Sequence, residues 1–138
     1  MALVLDTGPI YALLDRSDKD HARCRALIEQ TRERLVVPAP VLPEVDYLTA
    51  TRMGTGPIIA LLDDISRGAF TVDDLEIGDY ARVREVVDRY ADQDVGFVDA
   101  SVLAVVERLE EPKLATLDHR HFSVLRPRHI SALHLLPD

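Results

Sequence analysis

Five short apolar runs constrain what this chain can become. Met1–Leu5, Leu35–Val37, Phe70–Val72, Lys113–Leu117 and Leu133–Leu136 have the length of strands rather than helices, and they carry few polar residues. Between them lie longer stretches whose apolar residues recur at helical spacing. Strands that alternate with helices pair in parallel through crossover connections. Strands with so little polar content belong to a sheet covered on both faces. The expected fold is therefore α/β, a three-layer sandwich whose short, mostly parallel sheet of about four or five strands is flanked by helices.

The helical segments follow from periodicity and punctuation. Asp6-Thr7-Gly8-Pro9 reads as a turn, with a short helix over Ile10–Leu14. Ser17-Asp18 precedes a helix expected over Lys19–Arg34. Val41–Arg52 is helical, since Pro43 is tolerated in a first turn. In Thr55–Arg67 the residues Ile58, Ile59, Leu61, Leu62 and Ile65 form one broad face opposite Asp64 and Arg67. Gly78–Tyr90 is amphipathic, whereas Asp99–Leu109 is apolar nearly all round and reads as a buried helix.

Nothing divides the chain. It has 138 residues with no repeat, linker or low-complexity tract, so residues 1–138 are expected to form one domain. No apolar run approaches the roughly 20 residues of a membrane span. The apolar start stops after Leu5, with no basic leader and no cleavage-site pattern, so it does not read as a signal peptide. A lone cysteine, Cys24, excludes an internal disulfide and favours the cytoplasm.

In a parallel α/β sheet, ligands bind beyond the carboxyl ends of the strands, where strand order reverses. An acid recurs at such positions. Asp6 follows the first strand and Asp118 the Lys113–Leu117 strand. Glu44 lies in the first turn after Leu35–Val37, and Asp99 begins the buried helix. Each has a plain structural explanation: an Asx turn for Asp6, a helix cap for Asp99, the helix dipole for Glu44, a turn for Asp118. None of these explains why all four should converge on one edge. Clustered carboxylates repel unless cations neutralise them. Oxygen-only ligands suit Mg²⁺ or Mn²⁺ better than zinc. A zinc site at His119-x-His121 lacks partner ligands at the required spacing, and Cys24, one turn from His21, reads as a core residue.

The net charge of −8 argues against a general nucleic-acid coat protein. It is unevenly distributed, however, since His119–His129 (HRHFSVLRPRH) holds three Arg, three His and no acid.

These segments, in this order, resemble the PIN-domain ribonucleases, in particular the VapC toxins of bacterial toxin–antitoxin pairs. VLDTGPIYALLD is similar to the family's opening strand and first acid. PAPVLPEVDYL resembles the segment carrying its Glu, and YADQDVGFVDASVLAVVERL its Asp-Ala at a helix start. LATLDHRHFSVLRP is similar to its closing strand, acid and basic loop. The resemblance covers essentially the whole chain. It implies that Asp6, Glu44, Asp99 and Asp118 hold Mg²⁺ or Mn²⁺, that Thr7 supports the site by hydrogen bonding, and that RNA is cut endonucleolytically to leave a 5′-phosphate. It also implies a homodimer held inactive by a cognate VapB-type antitoxin. Arg120, Arg126 and Arg128 are candidates to grip RNA phosphates. Asp92 and Asp94 are at best auxiliary.

Three rivals are weaker. Asp6-Thr7-Gly8 matches the triplet of dimeric aspartic proteases, but those are β-rich. A receiver-like signalling domain needs a lysine after a late strand, and the only lysines are Lys19 and Lys113, the latter before its strand. A catalytically silent PIN-like module that binds RNA or protein would not need the complete acid set.

Overall fold

The computed structural model describes residues 1–138. Its five strands are β1 (Ala2–Leu5), β2 (Arg34–Pro38), β3 (Thr71–Asp73), β4 (Lys113–Ala115) and β5 (His134–Leu136). They form one sheet in the order β3-β2-β1-β4-β5, with every pair parallel. The helices are α1 (Thr7–Leu14), α2 (His21–Gln30), α3 (Val41–Met53), α4 (Gly56–Ser66), α5 (Ile77–Arg89), α6 (Phe97–Arg108) and α7 (His119–Val124), with a single 3-10 turn at Ala91–Gln93. The expected α/β architecture is thus present, with all five candidate strands in the sheet.

Strand order fixes the layers. From β1 the chain moves through β2 to β3 on one side, then returns to add β4 and β5 on the other. Parallel crossovers are right-handed, so the connections made in opposite directions lie on opposite faces. The packing agrees: α1 meets α2 and α3, and α3 meets α4, whereas α5 packs on α6. The central strands are covered from both sides, and Val4, Leu5, Val36, Val37, Leu114 and Ala115 are fully buried. Helix α6 is buried from Ala100 through Val106, as its all-round apolar sequence requires. No helix is long and apolar enough to cross a membrane.

Several boundaries differ from expectation, for identifiable reasons. No turn intervenes after β1. Asp6 occupies the N-cap position and α1 starts at Thr7, with Pro9 in the first turn, where its missing N–H costs no helical bond. The helix expected to reach Arg34 ends at Gln30, because Arg34 pairs with Ala2 in the sheet. Helix α6 starts at Phe97 with Gly96 as N-cap, so Asp99 lies inside the first turn rather than capping it. The largest difference is α7: residues expected to form a loop make a short helix whose Phe122 is buried.

A charged network ties α5 to α6 and reaches the end of β3 at Asp73. Arg82 is buried, and Glu107 accepts from its Nε at 2.8 Å and its Nη2 at 2.9 Å. Glu85 accepts from Nη1 at 2.8 Å, and the carbonyl of Arg126 from Nη2 at 3.1 Å. Arg108 pairs with Asp73, Glu76 and Asp79. A buried charge that loses its partner is strongly destabilising, whereas replacing both partners with apolar groups is tolerated. Glu107→Ala is therefore expected to cost about 3 kcal/mol, read as a lower urea midpoint at unchanged slope. Arg82→Met combined with Glu107→Leu should recover most of that loss. A Glu107→Ala protein as stable as the wild type would mean that Glu85 and the Arg126 carbonyl suffice.

Candidate metal centre

The reversal of strand order falls between β1 and β4, so their carboxyl ends open into a crevice between the two helical layers. Here the structure brings all four expected acids together. A cavity of 420 Å³ is lined by Asp6, Thr7, Gly8, Glu44, Asp99, Leu117 and Asp118. Asp6 and Glu44 arrive from elements of one layer, Asp99 and Asp118 from elements of the other. Gly8 permits the close approach: a Cβ there would lie 3.1 Å from Leu117 Cβ, tighter than most such contacts.

Each acid is held differently. Asp6 is buried, its backbone N–H donates to the Ala115 carbonyl at 2.9 Å, and its Oδ2 accepts from the Thr116 hydroxyl at 2.8 Å. Thr116 Oγ1 in turn accepts from the Asp118 N–H at 3.0 Å. One fully buried hydroxyl therefore links the first and last acids. Asp118 caps α7, its Oδ1 accepting from the His121 N–H at 3.1 Å and its Oδ2 lying 2.7 Å from His121 Nδ1. The same nitrogen is 3.2 Å from Asp99 Oδ2. Asp99, Asp118 and His121 place one donor atom each within 4.8 Å of one another. Glu44 is exposed at the rim on α3. The helical form of α7 brings a histidine against two of the acids.

The other candidates are placed as follows. Thr7 lines the cavity, but its buried hydroxyl has no hydrogen-bond partner in the protein; Thr116 makes the supporting bond expected of Thr7. Asp94 lines an adjoining cavity with Glu44, Phe97 and Asp99, whereas Asp92 lies on the exposed 3-10 turn. Arg120 is exposed on α7, two residues from Asp118, and its side chain has no partner. Arg126 is exposed, its backbone N–H donating to the Tyr90 hydroxyl at 3.1 Å. Arg128 pairs with Glu85 at 2.6 Å and joins the α5–α6 network. Thr116 is not singled out by the sequence, and His121 enters there only as half of a His119-x-His121 zinc pair that is set aside. Their signals were a polar residue closing an apolar strand two positions before an acid, and a histidine three positions after it.

No Lys or Arg forms an ion pair with Asp6, Glu44, Asp99 or Asp118. Burial raises the Asp6 pKa to about 7, with the neighbouring Asp99 and Glu44 adding to the rise and the Thr116 hydrogen bond opposing it. Burial also raises Asp99, reinforced by Asp118 and opposed by His121. Carboxylates driven toward protonation around one cavity, beside an orphaned hydroxyl, fit a divalent cation as their missing partner.

Comparison with known proteins agrees with this geometry. The family model for the PIN domain matches residues 3–126. Ribonuclease VapC26 of Mycobacterium tuberculosis is 34% identical over 125 residues, covering 91% of this chain and 93% of that protein. The fold is similar to that of M. tuberculosis VapC20, described as a sarcin–ricin loop cleaving toxin, with a TM-score of 0.78, 20% identity and coverage of 85% of this chain and 90% of that one. It is also similar to VapBC2 of Rickettsia felis bound to a DNA fragment from the promoter (TM-score 0.70, 15% identity, 99% and 100% covered). FitAcB of Neisseria gonorrhoeae is a third match (TM-score 0.67, 14% identity, 99% and 97% covered). The chain belongs to the PIN-domain family, on its VapC ribonuclease branch.

The raised Asp6 pKa has a consequence for stability. The folded state binds this proton more tightly than the unfolded chain, whose Asp titrates near 3.8. The associated stability is present below that value and lost as pH rises toward about 7. In EDTA, Asp6→Asn removes this dependence. The stability difference between Asp6→Asn and wild type should therefore grow in favour of the variant by about 2–3 kcal/mol from pH 5 to pH 8. Urea unfolding at both pH values measures it. A flat difference would mean that Asp6 is neutralised within the fold.

Proposed function

We propose that residues 1–138 form one PIN domain acting as the toxic endoribonuclease of a type II toxin–antitoxin pair in the cytoplasm. The observation that carries this reading is the meeting of Asp6, Glu44, Asp99 and Asp118, from four separated segments, around one cavity at the switch point of the sheet. The 34% identity to a ribonuclease over 91% of the chain supports the same reading.

The four acids would hold Mg²⁺ or Mn²⁺. When bound, the cation supplies Lewis-acid stabilisation of phosphate oxygens and lowers the pKa of water. The protein's own part is preorganisation. Thr116 fixes the Asp6 carboxylate, the α7 cap fixes Asp118, and α6, buried from Ala100 onward, anchors Asp99. These side chains do not have to reorganise when the substrate arrives. No side chain needs to serve as nucleophile.

Substrate grip falls to the few free cations near the site. A chain of net charge −8 repels RNA over most of its surface. Arg120 is the best placed phosphate contact, being exposed and unpaired on the helix that Asp118 caps. Arg126 is exposed with an uncommitted side chain, while Arg128 would have to leave Glu85 to take part.

Two exposed apolar faces support the protein partners. Tyr47 on α3 and Ile59 and Leu62 on α4 are 70%, 54% and 51% exposed, and they suit an apolar segment of a VapB-type antitoxin. Exposed Tyr80 on α5 and Phe97 at the start of α6, together with partly buried Val87 and buried Val83, line a 600 Å³ groove that suits a second copy of the chain.

The reading is tested with purified protein and single-stranded RNA. Asp99→Asn keeps size but removes a ligand charge, and should lower the cleavage rate at least about 100-fold, with melting behaviour retained. Wild-type protein that binds RNA but never cuts it in Mg²⁺ or Mn²⁺ would leave the silent-module reading in its place.

The grip is tested separately, in an Asp99→Asn background so that binding is read without cleavage. Adding Arg120→Ala should weaken binding about equally for all sequences and make the log–log salt slope shallower by about 0.7. An unchanged slope would show that RNA is held elsewhere. A changed sequence preference at unchanged slope would show that Arg120 reads bases.

A further inference from the structure

His121 lies in the last turn of α7, with its side chain 18% exposed, and faces the acid pair rather than solvent. Its two nitrogens stand in different surroundings. Nδ1 is 2.7 Å from Asp118 Oδ2 and 3.2 Å from Asp99 Oδ2, while Nε2 is buried with no partner.

These contacts fix the tautomer. A bare Nδ1 lone pair facing two carboxylate oxygens at such distances would be repelled by both, so Nδ1 carries the hydrogen and donates it. The orphaned Nε2 then presents a lone pair. If Nδ1 instead bound the cation, the ring hydrogen would move to Nε2, where it would be a buried N–H with no acceptor. Histidines that ligate metals almost always donate their second N–H to a carboxylate, carbonyl or water. No carboxylate or carbonyl of the protein lies within hydrogen-bond reach of Nε2. The ring is therefore built to donate to ligand carboxylates rather than to be a ligand.

Asp118 receives two donors from this one residue: the backbone N–H at Oδ1 and the ring at Oδ2. That arrangement leaves its carboxylate no freedom to rotate. The longer contact to Asp99 draws the second carboxylate in, against the mutual repulsion of two anions. Each carboxylate still has lone pairs to spare, since it offers about four acceptor sites.

We propose that His121 is a positioning residue of the metal centre, whose ring N–H holds Asp118 and Asp99 at ligand spacing before the cation arrives. This rests on the reading that the acids bind a divalent cation, and it adds a part to that centre which acts only through other residues. It also explains why α7 is a helix: the three-residue spacing from Asp118 to His121 brings cap and ring onto one carboxylate.

The test is a calorimetric titration of the full chain with Mn²⁺. His121→Leu should lower affinity about 10–100-fold, as for other partners of metal ligands. His121→Asn places an amide N–H near the Nδ1 position and should recover most of that loss. His121→Gln carries the same amide on a longer arm and should not. The Asn–Gln comparison stands even if the Leu variant fails to fold, and melting curves in EDTA separate folding defects from metal defects. Pulsed EPR of the Mn²⁺-loaded wild type should show no coupling to a directly bound imidazole nitrogen. Equal affinities across the variants, or equal losses for Asn and Gln, would overturn the positioning role. Nitrogen coupling that disappears in His121→Asn would make His121 a ligand and overturn it as well. A wild type that binds no Mn²⁺ would instead remove the metal centre itself, and the role of His121 with it.

Discussion

Asp6 stands at the end of the central, fully buried strand of the sheet, where a charge is taken out of water. Burying an unpaired carboxylate costs several kcal/mol, and the fold does not supply a cation to offset it. It supplies a hydroxyl instead, from Thr116 at the end of the neighbouring strand. That one bond is possible only because β1 and β4 are adjacent and parallel, their ends level in register. The strand order, the crevice it opens and the closeness of the first and last acids therefore depend on one another. A slip of one residue between β1 and β4 would turn Thr116 to the opposite face and leave Asp6 without its donor.

Two groups of acids differ in what neutralises them. Glu85, Glu107, Asp73, Glu76 and Asp79 are matched to Arg82, Arg108 and Arg128 and hold α5, α6 and the start of β3's following segment in place. Arg128 beside Glu85 keeps that carboxyl below its ordinary pKa. Asp6 and Asp99 are displaced in the opposite direction, because burial and neighbouring acids outweigh what Thr116 and His121 return. The same side-chain chemistry is structural where an arginine meets it and available for a ligand where none does. Three of the sixteen basic residues are committed to the first group, while Arg120 stays exposed and unpaired beside the acidic cavity.

How far the sequence could be read follows the range of the forces involved. Strands and long helices were legible because apolar periodicity reports burial directly, and all five strand candidates pair in the sheet. The four acids were legible because parallel topology puts strand ends on one edge. Helix α7 was not. Six residues that include two histidines and an arginine have little intrinsic reason to be helical. What stabilises the segment is the burial of Phe122 and Leu125 and the cap from Asp118, and burial of the first kind is tertiary. Thr116 and His121 were hidden for the same reason. Asp6, the partner of Thr116, is remote in sequence, and His121 reaches Asp118, three residues before it, and Asp99 only once the segment is helical. Arg128 shows the converse: a local run of positive charge suggested one basic lip, but Glu85 on another helix claims one of its members.

The cavity is built half on each helical layer, and this shapes what can perturb it. Asp6 and Glu44 are carried by the ends of β1 and the start of α3, Asp99 and Asp118 by the starts of α6 and α7. Their spacing is then a property of how the layers meet across the sheet, not of any loop. Two contacts set that meeting at the site itself: Gly8 against Leu117, and the Thr116 hydroxyl shared by Asp6 and the Asp118 backbone. Close-packed layers have low compressibility and transmit a displacement forced on them. A substitution that adds volume at Gly8 acts on the acid spacing without touching an acid, because the nearest atoms belong to the turn that carries Asp118. The ring of His121 acts from the opposite side, within one layer, by tying Asp118 to Asp99. Within one layer Asp118 and Asp99 are tied by the His121 ring. Between layers the spacing is set by the Thr116 hydroxyl and by the Leu117 side chain against Gly8.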